Sequence, residues 1–138
     1  MFVLDASIAI SWCFPGDPSE DTSYSRSVLQ RLIVEEAVVP EIWAFEIANN
    51  IFVSQNKRRR ITEAQVSEYL SLLKALPIRV EAQPLWANVE LQSFARVCDI
   101  AAYDASYLAL AVRMQLPLAT SDNLLKRKAI EQGVVLLP

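Results

Sequence analysis

The chain has 138 residues, 53% of them hydrophobic, with 13 Lys and Arg against 16 Asp and Glu for a formal net charge of −3. That length suits one domain over residues 1–138, and the apolar excess predicts a sheet covered on both faces, an oligomer interface, or both. No run of about eighteen apolar residues is present to cross a membrane, the lack of histidine excludes His-based triads and His-ligated zinc, and two glycines cannot write a dinucleotide fingerprint or a P-loop.

Short apolar runs alternate with helical patterns, as in an α/β domain built on a mostly parallel sheet. FVLD (2–5) reads as a buried first strand and SIAISWCF as a short helix ended by Pro15. This apolar start carries Asp5 and no basic residue before Arg26, which argues against a signal peptide. Cys13 and Cys98 form no CxxC or metal-type spacing, so both are expected as reduced core thiols of a cytoplasmic protein. Residues 19–36 are amphipathic, with Val28, Leu29, Leu32 and Ile33 on one face, and AVV (37–39) is the second strand. Pro40 suits the first turn of a helix running to about Gln55. Thr62 with Gln65 predicts a capping box for a helix over 63–75. IRV (78–80) follows as third strand, Pro84 opens a helix to about Val97, and YDASYLALAVRM (103–114) forms another. PLA (117–119) is the fourth strand, DNLLKRKAIEQ the last helix with Gly133 as its stop, and VVLL the fifth strand.

Four acids interrupt this pattern. Asp5 closes the first strand and Asp122 follows the fourth; the carboxyl ends of neighbouring parallel strands line one crevice. Glu46 is the only charge from Ile42 to Asn56, and Asp104 the only one between Asp99 and Arg113. Four converging carboxylates repel unless a cation holds them, and a hard divalent ion with oxygen ligands, Mg²⁺ or Mn²⁺, answers that need. An ordinary explanation stands beside each acid. Asp122 caps a helix, Asp104 favours a helix N-terminus, Glu46 pairs with Arg58 or another base, and Ser7 is an N-cap. Lys57, Arg58, Arg59 and Arg60 form the one dense basic cluster, either a solvated helix end or a contact for RNA phosphates. Trp43 and Phe52 are candidates for a protomer interface or for core packing, and Trp12 with Phe14 for a further binding spot.

FVLDAS, the lone Glu46, YDASYLALA and LATSD together resemble the PIN-domain nucleases, and within them the VapC-type toxins of prokaryotic toxin–antitoxin pairs, over essentially the whole chain. The resemblance implies a Rossmann-like α/β/α sandwich with a five-stranded parallel sheet in the order 3-2-1-4-5. It implies a metal-dependent endoribonuclease that cleaves RNA by a metal-activated water, a homodimer, and inhibition by a cognate antitoxin. Asp5, Glu46, Asp104 and Asp122 then form the catalytic, metal-binding quartet, with Ser7 and Thr120 in support; Asp99 lies outside this pattern, and whether it contributes to the site stays open. Two alternatives stay open: a catalytically silent antitoxin- or RNA-binding domain of this fold, and a phosphatase-like site with Asp5 as nucleophile. The second lacks the neighbouring acid such sites use, because Ala6 and Ser7 follow.

Overall fold

The computed structural model describes residues 1–138. Strand β1 (Phe2–Leu4) is followed by α1 (Ala6–Ser11), α2 (Ser23–Arg31) and β2 (Ala37–Val39). Then come α3 (Ile42–Phe52), a π-helical turn (Val53–Lys57), α4 (Glu63–Ala75), β3 (Ile78–Val80), α5 (Leu85–Cys98), α6 (Ala102–Met114), β4 (Leu118–Ala119) and α7 (Asn123–Glu131). The strands form one parallel sheet in the order β3-β2-β1-β4. Right-handed crossovers put α1–α4 on one face and α5–α7 on the other. With helices on both faces, Phe2, Val3, Leu4, Val38, Val39 and Leu118 are wholly buried, as the apolar runs of the sequence require of a parallel sheet.

The expected fifth strand is reduced to one parallel bridge, Leu118 with Leu136. Gly133 at φ +73° ends α7 as expected, and Val134 N–H turns back onto the Ala129 carbonyl at 2.8 Å, leaving too little extended chain for a ladder. The helix expected over 19–36 is also shorter. Asp17 and Asp21 hold residues 16–22 in a turn, through Ser19 N–H to Asp17 (2.9 Å) and Gly16 N–H to Asp21 (2.9 Å). Thr22 then caps α2, and Ile33, beyond its end, lies 80% exposed. The Thr62–Gln65 capping box forms as expected.

Helix α3 runs into the π-helical turn, where Arg58 N–H reaches the Val53 carbonyl at 2.9 Å. Arg59, in the left-handed region at φ 49°, then reverses the chain. Arg60 consequently points back across the molecule. Its guanidinium lies 4.1 Å from the centroid of the Phe14 ring and reaches Asp17 at 2.9 Å and Glu20 at 3.5 Å. Trp12, Phe14 and Trp43 all belong to the core, whereas Phe52 is exposed. Replacing Arg60 by Ala is expected to cost about 1 kcal/mol by denaturant melting, while Arg58→Ala, which breaks no ion pair, leaves stability near the parent value.

Candidate active site

Because β1 and β4 are hydrogen-bonded neighbours, with Asp5 N–H on the Ala119 carbonyl at 2.9 Å, the residues that follow both strands meet where strand order reverses. This is the place where open parallel sheets bind ligands. Asp5 is buried there. Its Oδ2 accepts hydrogen bonds from Ser7 Oγ at 2.5 Å and Thr120 Oγ1 at 2.6 Å. The same two hydroxyls accept the backbone N–H groups of Ser121 (3.1 Å, to Ser7) and Asp122 (3.0 Å, to Thr120). Thr120, itself wholly buried, thereby ties the end of β1 to the start of α7. Asp122 does cap α7, its Oδ1 accepting Leu125 N–H at 2.7 Å, which leaves its other oxygen without a hydrogen bond.

The other two acids arrive on helices. Glu46 sits mid-way along α3, half-buried, and its Oε2 accepts a hydrogen bond from the hydroxyl of Tyr107 in α6. Asp104, in the first turn of α6, has no hydrogen bond of its own. None of the chain's ion pairs includes Asp5, Glu46, Asp104 or Asp122, so the ordinary explanation of Glu46 as a partner of Arg58 does not describe this structure. Asp99 ends α5 in the left-handed region at φ 53°. Tyr107 is a partner of Glu46 that the sequence reading does not single out; its signal is a polar ring three residues after Asp104, on the same helical face.

The acids sense one another. Burial lifts the Asp5 carboxyl above its ordinary value, against the hydrogen bonds from Ser7 and Thr120, and the charge of Asp122 lifts it further. Burial likewise raises Glu46, opposed by the Tyr107 bond and aided by the charges of Asp5 and Asp104. Asp104 is raised by burial and then by Asp122 and Asp5. Three features fit a divalent cation: one carboxylate oxygen free of side-chain hydrogen bonds on each acid, no competing lysine or arginine, and mutual repulsion that a positive ion relieves. The acids do not close into a preformed cage of three or more ligands.

Two measurements follow from this electrostatics. Since Asp5, Glu46 and Asp104 have raised values in the folded chain, their repulsion is present at neutral pH and relieved as pH falls through those values toward the ordinary carboxylate range near 4. Asp17, Asp21 and Glu35 are held low by hydrogen bonds from Ser19, Gly16 and Arg31, so the stability they add is lost only below that range. The Tm of the metal-free chain should therefore rise on mild acidification from neutral pH, and Asp104→Asn should raise the neutral-pH Tm and flatten this dependence. Thr120→Val, which keeps the volume and removes the hydroxyl shared by Asp5 and Asp122, should lower stability by about 1–3 kcal/mol in chemical denaturation.

The profile of the family described as PIN domain matches residues 2–131. Among solved structures, the crystal structure of PAE2754 from Pyrobaculum aerophilum aligns at a TM-score of 0.65 with 21% identity, covering 92% of this chain and 78% of that one. FitAcB from Neisseria gonorrhoeae aligns at 0.63 with 21% identity, covering 100% and 97%. FitAB bound to an IR36 DNA fragment aligns at 0.64 with 22% identity, covering 99% and 94%. No curated protein matches the sequence.

Proposed function

The chain belongs to the PIN-domain family, whose members are generally nucleases that use divalent metals, and on that premise we propose that it is a metal-dependent endoribonuclease, the toxin of a VapBC-type toxin–antitoxin pair. The observation that carries this reading is that Asp5, Glu46, Asp104 and Asp122, from four separate parts of the chain, lie near enough for the charge of one to raise the pKa of another, with no ion pair to a Lys or Arg on any of them. A chain needing only structure has little reason to keep three carboxylates at raised pKa values beside one another. The four acids would hold Mg²⁺ or Mn²⁺; such an ion supplies a lowered pKa for water and charge to offset the phosphodiester's.

The chain's own residues divide the remaining work. Ser7 and Thr120 fix Asp5 through its Oδ2, and Thr120 and the cap on α7 set the position of Asp122. Asp104, which no hydrogen bond restrains, is free to turn toward a ligand. Lys57, Arg58, Arg59 and Arg60 contact RNA phosphates in this proposal; the ion pairs of Arg60 leave the first three as the more available cations. The neighbour FitAB was solved on a DNA fragment, which supports a nucleic-acid setting for this chain; a complex with a cognate antitoxin is part of the same proposal. A homodimer is supported by Phe45, Leu85, Trp86, Val89 and Tyr103, large apolar side chains of α3, α5 and α6 that are half-exposed or more. No helix is long and apolar enough to cross a membrane, and a cytoplasmic site of action completes the proposal.

The test is cleavage of a mixed RNA pool by the purified chain with Mg²⁺, with Mn²⁺ and with chelator, beside Asp104→Asn. The expected result is metal-dependent cutting that falls by at least ~100-fold in the variant. Undiminished cutting by Asp104→Asn contradicts the assignment. RNA or antitoxin binding with no turnover under any metal condition favours the catalytically silent alternative.

A further inference from the structure

Of the four tyrosines, three are partly or fully buried, and two of these satisfy their hydroxyls on the backbone. Tyr69 donates to the Ala9 carbonyl at 2.8 Å and Tyr24 to the Leu137 carbonyl at 3.0 Å. Tyr107 differs. It is wholly enclosed, and its hydroxyl donates to the Glu46 carboxylate, which lies 61 positions away in sequence and opens on the crevice. A buried hydroxyl must find a partner, and here the partner is a member of the acidic quartet rather than a carbonyl of the core.

Glu46 is otherwise unsupported. It makes no ion pair and no second side-chain hydrogen bond, and it reaches the crevice on a side chain with three rotatable bonds. Asp5 has two hydroxyls to hold it and Asp122 has a helix N-terminus; Glu46 has Tyr107 alone. The ring cannot shift easily, because Tyr107 is packed on all sides and sits one turn beyond Asp104 on the same face of α6. We propose that Tyr107 is the positioning residue of Glu46: by fixing Oε2 it keeps Oε1 presented to the divalent cation held with the other acids. The YDASY segment then carries one ligand, Asp104, and the strut for another. This inference rests on the cation-binding reading of the quartet given above.

The experiment titrates Mn²⁺ alone into the purified full chain and follows free Mn²⁺ by electron paramagnetic resonance. Parent, Tyr107→Phe, Glu46→Gln, Asp104→Asn and the double variant Tyr107→Phe/Glu46→Gln are compared, with thermal melts as a check on folding. Tyr107→Phe is expected to stay folded and bind Mn²⁺ about 10–100-fold more weakly. The double variant should match Glu46→Gln, because the tyrosine acts only through that carboxylate. Parent-like Mn²⁺ affinity in Tyr107→Phe overturns the proposal, as does a further loss in the double variant beyond Glu46→Gln. If Glu46→Gln and Asp104→Asn also bind like the parent, the cation reading falls and the proposal with it; if those two lose binding while Tyr107→Phe does not, only the role of Tyr107 falls. Should Tyr107→Phe fail to fold with Glu46 left unpaired, the double variant removes that charge and carries the same comparison with Glu46→Gln.

Discussion

Repulsion among four carboxylates at one end of a parallel sheet is the constraint around which this molecule is arranged. Asp5, Glu46, Asp104 and Asp122 come from the residue after β1, from α3, from α6 and from the start of α7, and no basic side chain pairs with any of them. Such a cluster costs folding free energy at neutral pH, so the scaffold beneath it must be strong. Strands β1, β2 and β4, buried along their whole length, supply that strength. A lattice of hydroxyls then holds the acids in place without cancelling their charge: Ser7 and Thr120 on Asp5, and Tyr107 on Glu46. Hydroxyls can orient a carboxylate without adding the compensating positive charge that a lysine or arginine would bring.

The placement of positive charge follows the same logic. Arg60 is engaged by Phe14, Asp17 and Glu20, and Arg79 and Arg113 both pair with Glu81. The chain is acidic as a whole, so a polyanion approaching the crevice meets repulsion unless a divalent cation is already there. In the proposed function the cation therefore does two things: it relieves strain among the acids, and it makes the crevice hospitable to phosphate. A scaffold that gains stability by binding its ion is a common form of stability–function compromise.

Much of this was legible in the sequence because it rests on local chemistry. Buried strands read as apolar runs, Thr62 and Gln65 announced a capping box that forms, and the acids stood out as isolated charges in apolar surroundings. The sequence misled where a long-range contact decides the outcome. The acidic residues of 17–21 resemble a helix start, yet they serve a turn that Arg60, some forty residues on, holds in place. VVLL has strand propensity, but the αL exit at Gly133 leaves it a single bridge. Trp43 looked as suited to an interface as to the core and lies in the core, because only its depth along α3 distinguishes the two. The ring of Tyr107 was visible one turn after Asp104, but its partner was not: one hydrogen bond to a residue 61 positions away is not a pattern any window along the chain contains.

The most direct test of the central claim is an anomalous-difference map from crystals of the chain grown with Mn²⁺. The account predicts a peak among the free oxygens of Asp5, Asp104 and Asp122, with Glu46 beside it and still bonded to Tyr107. A map with no peak in the crevice at saturating Mn²⁺, or with Asp104 paired instead to a lysine or arginine, would contradict it.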